Sequence, residues 1–133
     1  MAVSERNVEI VRAAAAAWDR GDLEALESLL SPEVELVPLR AQLEGKVYRG
    51  RAGLRQMWDD LHADWEELQL PIERMLDGGE LVVALGRLTA RGRASGVDLD
   101  VPLGQVWEVR DGTIVRMHAY SDPDDAVRAA GLG

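Results

Sequence analysis

The most constraining stretch is residues 101–122, VPLGQVWEVRDGTIVRMHAYSD, where polarity alternates with a period of two on either side of an Asp-Gly pair. Leu103, Gln105, Trp107 and Val109 alternate with Gly104, Val106, Glu108 and Arg110. Val115, Met117 and Ala119 then alternate with Arg116, His118 and Tyr120. Such alternation, rich in β-branched and aromatic residues, marks half-buried strands. Asp111-Gly112 tolerates the positive φ of a tight turn, so the two runs predict a hairpin. Rows 103/105/107/109 and 115/117/119 are expected on one face, because register fixes which side meets the core. Gln105 is the polar exception in that face. A buried amide left unpaired costs about 1–3 kcal/mol, so Gln105 needs a partner in protein, water or ligand.

The rest of the chain supplies cover for that hairpin. Val8, Val11, Ala15 and Trp18 recur every three to four residues, which predicts an amphipathic helix over 5–20 with Ser4 as its N-cap. The run Ala13–Ala17 has high helix propensity and small side chains, which let a helix approach a sheet or leave room above it. Asp22 is placed to cap a second short helix carrying Leu23, Leu26, Leu29 and Leu30, ended at Ser31-Pro32. Val34–Val37 reads as a strand ended by Pro38, and 38–50 as an irregular loop carrying Tyr48. A third helix is expected over Ala52–Glu66, with the stripe Leu54, Met57, Trp58, Leu61 and Trp65. Leu68–Leu76, Glu80–Arg93 and Val97–Val109 read as strands, separated by Asp77-Gly78-Gly79 and Ser95-Gly96, with an edge or bulge at Pro71. Asp122-Pro123-Asp124-Asp125 opens a last short helix to Ala130. Helix, helix, strand, helix and then four antiparallel strands describe an α+β domain. No repeat or linker divides residues 1–133, which are expected to form a single domain.

Charge and composition exclude several functions. The 133 residues, 47% of them hydrophobic, can bury a real core, and the net charge of −9 argues against nucleic acid and anionic membrane as partners. Cysteine is absent, which excludes disulfides, thiol catalysis and thiolate metal sites, and fits a cytoplasmic location. The start, MAVSERN, lacks the pattern of a signal peptide, and no apolar stretch approaches the ~20 residues of a membrane span. No Ser/His/acid set, phosphate loop or dinucleotide glycine motif is present.

Four segments carry a family resemblance: Ala17-Trp18-Asp19-Arg20-Gly21-Asp22-Leu23, Leu30-Ser31-Pro32-Glu33-Val34, Tyr48-Arg49-Gly50-Arg51 and Val106-Trp107-Glu108-Val109-Arg110-Asp111-Gly112-Thr113-Ile114-Val115. With the element order, they make the chain similar to the nuclear-transport-factor-two-like superfamily. That group includes ketosteroid isomerases, limonene epoxide hydrolases and SnoaL-like polyketide cyclases. The resemblance implies a cone-shaped, curved, mostly antiparallel sheet of the cystatin-like type, with helices on its concave face and an apolar pocket between. It also implies a homodimer through the convex face. The known catalytic residues do not carry over. Where ketosteroid isomerases place their base before the proline ending the first strand, this chain has Val37; their oxyanion tyrosine falls at Ala14 and their oxyanion aspartate near Gln105. The last-strand aspartate of limonene epoxide hydrolases falls at Ala119, and the strand holding Arg87 offers no inward aspartate.

The remaining candidates have two readings each. Gln105 either donates to a ligand carbonyl or oxyanion, or is a core amide bonded to Tyr48 or backbone. Trp18, Trp58 and Trp107, with Val109, Met117 and Ala119 on the sheet, are expected on the pocket wall or in the core. Trp65 reads as a lid or packing residue. Tyr48 is expected at the pocket mouth with its hydroxyl inward, or as part of the core. Glu35 is the one carboxylate near the expected base position. His118 titrates in the right range for a general base, but alternation points it away from the pocket, toward the dimer face. His62 and Glu66 have a metal-ligand spacing that a solvated helix face also explains, and Asp122, Asp124 and Asp125 are accounted for by helix capping. The expectation is a small-molecule site that uses no metal and no organic cofactor. It binds a mostly apolar compound, either as an isomerase, cyclase or lyase or as a non-catalytic binding or dimerisation module.

Overall fold

The computed structural model describes residues 3–132, with the side chains of residues 3, 4, 40 and 43 outside the described set. The chain runs α1 (Val3–Asp19), α2 (Leu23–Leu29), β1 (Leu30–Val37), α3 (Leu39–Glu44), β2 (Tyr48–Arg49), α4 (Gly50–Asp64), β3 (Trp65–Gln69), β4 (Ile72–Gly78), β5 (Leu81–Gly92), β6 (Asp98–Arg110), β7 (Thr113–Tyr120) and α5 (Pro123–Ala129). The strands form one sheet in the order β2-β1-β7-β6-β5-β3, with β4 also paired to β5. Among the described residues only β1 and β7 run parallel. This is the curved α+β sheet that the sequence predicts. No helix among the described residues is long and apolar enough to cross a membrane.

The hairpin of β6 and β7 turns at Asp111 and Gly112, whose φ values are 50° and 79°. Trp107 pairs with Met117 and Gln105 with Ala119, so these four share one face. The register shifts by one residue between Glu108 and Val109, and Ile114, not Val115, stands opposite Val109. A β-bulge places an extra residue on one strand and reverses the facing of the residues beyond it. Ile114 is therefore fully buried in the position expected of Val115.

Other differences have local causes. Strand β1 begins at Leu30 and passes through Pro32, since its ladder with β7 is irregular between Leu30 and Glu35 and asks no N–H of the proline. The expected loop 38–50 contains α3, started at Pro38 and stopped at Gly45, and the short strand β2, which pairs with β1. Helix α4 ends at Asp64, and Trp65 already opens β3. The expected single strand over 68–76 is two strands, broken at Leu70-Pro71. The freed Leu70 N–H donates to Asp19 Oδ1 at 3.1 Å, and the Pro71 carbonyl accepts from Arg87 N at 3.1 Å. That carbonyl sits 2.0 Å from where a Cβ on Gly86 would be, so the crossing of β3 into β4 requires glycine there. Helix α1 already includes Ser4, whose side chain lies outside the described residues, so its capping role does too. Asp22 caps α2 through Ala25 N at 3.0 Å, and Asp122 caps α5 through Asp124 N at 2.9 Å. Asn7, buried and unremarked in the sequence, donates from Nδ2 to the Gly79 carbonyl at 3.0 Å and ties α1 to the β4–β5 turn.

Not every helix lies on the concave side. A Cβ on Gly104 would stand 2.7 Å from Ala126 Cβ and 3.0 Å from Pro123 Cα, so α5 packs directly on that glycine. Neighbours Leu103 and Gln105 face the other way, toward α1 and α4. Helix α5 thus covers part of the convex face, where Val83 and Ala126 are fully buried.

Replacing Gly86 with alanine should cost about 1–3 kcal/mol, because the colliding atom is a backbone oxygen that cannot swing aside. Urea unfolding of Gly86→Ala should show a lower midpoint at unchanged slope; an unchanged midpoint would mean the strands do not cross as described.

Candidate functional site

Between the helices and the concave sheet lies a cavity of about 190 Å³. Its helical wall is Ala14, Ala15 and Trp18 from α1, Leu26 from α2, and Leu54, Met57 and Leu61 from α4. Alanines at 14 and 15 keep α1 from filling the space that a leucine would occupy. The sheet contributes Leu103, Gln105 and Trp107 from β6, and Met117 and Ala119 from β7. Leu30, Leu36, Pro38 and Leu39 close one side, and Trp65, Leu68, Leu70, Leu88 and Leu99 form the rest. Among the described residues no side chain that titrates stands on this wall, and apart from the indole N–H groups Gln105 is its one polar side chain.

The orientation of Gln105 follows from chemistry. Trp107 Nε1 donates to Gln105 Oε1 at 3.2 Å, and both residues are buried. An indole can only donate, so the amide oxygen must face it and the NH2 group must point elsewhere. That NH2 group makes no hydrogen bond to the described residues. Like the buried Trp18 Nε1–H, it is a donor on the wall with no acceptor among the described residues.

Five of the residues expected on the wall are there: Trp18, Gln105, Trp107, Met117 and Ala119. Three are not. Val109 is fully buried opposite Ile114, beyond Trp107, where the sheet closes on the core. Trp58 is displaced by Trp18, which meets it edge-on at 4.7 Å and 68°, and its other face stacks on His62 at 3.8 Å. His62 Nδ1 lies 2.8 Å from the Trp58 carbonyl, which fixes that nitrogen as the protonated one, so His62 is a packing residue rather than part of a free polar face. Tyr48 is buried, but its hydroxyl donates to Asp60 Oδ2 at 2.6 Å instead of entering the cavity. Gln56 Nε2 and Lys46 Nζ hold the same carboxylate at 2.7 and 3.2 Å. The Tyr48 hydrogen bond, then those of Gln56 and Lys46, lower the Asp60 pKa to about 2. Burial, and then Asp60, push the Tyr48 phenol up.

Two further candidates face away from the cavity. Glu35 alternates with the buried Val34 and Leu36, lies opposite Arg49 and Arg116, and is bonded to Arg49. His118 pairs with Val106 and Val37 on the convex face, with its ring 4.7 Å from Tyr120. Its Nδ1 is buried without a partner, and burial, helped by Arg116, lowers its pKa. The sequence missed the place of Trp65 on the wall, where a lid or packing residue is expected, and the leucines of β5 and β6 near the rim. Leu88 and Leu99 lie in strands whose alternation is diluted by charged residues, so only the register reveals their side. Among the described residues no group of three His, Asp or Glu side chains is arranged to hold a metal.

The family profile described as a SnoaL-like domain matches residues 11–117. No curated protein matches the chain in sequence. Among solved structures, a nuclear-transport-factor-two-like protein of unknown function from Burkholderia pseudomallei is similar at TM-score 0.79 and 21% identity, over 92% of this chain and 95% of that one. A putative polyketide cyclase from Xanthomonas campestris pv. campestris is similar at TM-score 0.77 and 21% identity, over 97% and 99%. TerC, crystallised with polyporic acid, is similar at TM-score 0.78 and 22% identity, over 95% and 98%. At these identities the likeness establishes the fold.

The position of His118 gives a pH dependence with a definite sign. Its folded pKa lies below the unfolded value near 6.5, so the unfolded chain takes up a proton first, and stability falls as pH drops below about 6.5. Asp60 contributes only at lower pH, as its carboxylate protonates between its ordinary value and about 2. Denaturant unfolding at pH 8 and pH 5.5 should therefore show a loss that is smaller in His118→Gln. An equal loss in both proteins would locate the titration elsewhere.

Proposed function

The chain belongs to the SnoaL-like domain family, and from that premise we propose that it binds a small, mostly apolar organic molecule in the cavity, held by the Gln105 amide. The observation that carries this reading is the wall itself: aliphatic and indole side chains around one buried amide whose NH2 group has no protein acceptor. Pockets built for small molecules combine apolar walls with few placed polar groups. A bound carbonyl or ether oxygen would satisfy the donor that the protein leaves open. The putative polyketide cyclase and the TerC complex with polyporic acid, both similar in fold, support an organic ligand for this one.

The same donor favours a second reading, an isomerase, cyclase or lyase without cofactor. A fixed N–H aimed at a developing oxyanion stabilises it without moving a proton. Without a wall residue to act as acid or base, such an enzyme would have to rely on that donor and on holding the substrate in a reactive shape. We also keep a homodimer as part of this proposal. Its contact would lie beside α5 on the convex face, around Val37, Val106, His118 and Tyr120, and a monomeric mass at micromolar concentration would count against it.

Thermal unfolding against a panel of aryl ketones, lactones, terpenoid epoxides and steroids tests the ligand reading. A ligand at one hundred times its Kd adds about 2.7 kcal/mol, which raises Tm visibly. The shift should vanish or shrink in Gln105→Leu and stay constant between pH 6 and 9, since no wall group titrates there. Turnover with a rate that rises or falls across that range would put an acid or base at the site and overturn the reading. So would a shift indifferent to Gln105→Leu.

A further inference from the structure

The polar group of the cavity is off-centre. On β6 the wall runs from Leu99 to Trp107, eight residues apart, which is roughly 26 Å along a strand at ~3.3 Å per residue. Gln105 stands two residues from the Trp107 end, about 7 Å, and six from the Leu99 end, about 20 Å. The two ends differ in exposure. Around Trp107, the side chains of Leu26, Leu36, Leu54 and Met117 are all 5% exposed or less. At the other end Leu61, Trp65, Leu70, Leu88 and Leu99 are half-buried. The cavity is closed beyond Gln105 and opens through a leucine and tryptophan rim. The lining thus extends mainly to one side of Gln105, toward the rim.

We infer that the site takes an uncharged, elongated molecule whose acceptor oxygen lies within its length. A short apolar group occupies the closed chamber beyond Gln105. A longer apolar arm runs past Leu103 to the rim at Leu88 and Leu99. A ketone, ester or ether near one end of a chain or linear ring system fits this arrangement. A terminal carboxylate does not: it would lie against leucine, methionine and indole, with no cation among the described residues of the wall, where an unpaired charge is strongly disfavoured. The inference rests on the ligand reading above and adds shape and charge to it.

The test is calorimetric titration with 3-hexanone, 3-octanone, 3-decanone and 3-dodecanone, and with dodecanoate at pH 8. The ethyl side of each ketone probes the chamber and the lengthening arm probes the path to the rim. Affinity should rise about fourfold per added methylene through 3-dodecanone, the factor implied by moving one CH2 out of water. Dodecanoate should bind at least tenfold more weakly than 3-dodecanone. In Leu88→Trp, a substitution at the half-buried rim level with Val101 and about 13 Å along the strand from Gln105, 3-hexanone should bind as in the parent while the gain toward 3-dodecanone disappears. Ketone binding that is lost in Gln105→Leu yet stops rising at 3-octanone in the parent would overturn the elongated ligand and leave the ligand reading standing. Dodecanoate binding as tightly as 3-dodecanone would also overturn the inference. Failure of every ketone to bind would overturn both.

Discussion

From Leu81↔Glu108 to Arg91↔Asp98, β5 and β6 pair residue for residue without a break. The ladders attached around that pair all slip: β4 and β3 on β5, β7 on β6, and β1 on β7 each carry a register irregularity. A continuous ladder holds two strands in a fixed twist, whereas each bulge bends the strand that carries it. A straight spine with bulged flanks curls into a cone, and the helices then have a concave surface to cover. Break the β5–β6 register by one residue and Gln105, Trp107 and Leu103 would turn to the convex face together. The site exists because that ladder does not slip.

The cavity is a consequence of what the helices do not bring. Helix α1 faces the space with buried alanines at 14 and 15, and β7 offers Ala119 opposite Gln105. The chain has no phenylalanine, so its bulk is concentrated in four tryptophans. Trp18, Trp65 and Trp107 stand around the space, while Trp58 is taken up by Trp18 and His62. Large flat side chains around the space and alanines at 14, 15 and 119 leave a gap between helices and sheet. At the narrow end, Val82, Val109 and Ile114 are fully buried and shut the cone.

The architecture was legible in the sequence, because period-two runs, turn glycines and caps act locally. The facing of Gln105 was legible for the same reason. What could not be read depends on contacts between distant residues. The bulge that exchanges Ile114 for Val115 is set by how β7 meets both β6 and β1. The hydroxyl of Tyr48 turns to Asp60 because Gln56 and Lys46 assemble there too, a choice invisible in a loop sequence. Glu35 fell near the base position of the ketosteroid isomerases, yet strand alternation alone would have turned it outward between Val34 and Leu36. Helix α5 was legible as a helix, but its side of the sheet was decided by Gly104, whose missing Cβ admits Ala126.

A site whose open polar groups are donors, the Gln105 NH2 and the Trp18 Nε1–H, with no acid or base among the described residues of its wall, is chemically one-sided. It can stabilise negative charge that develops on a bound oxygen, and it can hold a molecule in shape. It cannot take up a proton released in the same step, so a proton must leave with the substrate or through water at the rim. The hydrogen bond from Trp107 sharpens this asymmetry. By taking one lone pair of the amide oxygen it polarises Gln105, fixes which way the amide faces and makes the N–H groups it presents better donors. An ammonium arriving at the Gln105 NH2 group would bring only donors, while a carbonyl, ether or hydroxyl oxygen would accept from it. Selection at this position is thus by hydrogen-bond polarity before shape, and the pairing of two neighbouring side chains on one strand sets it.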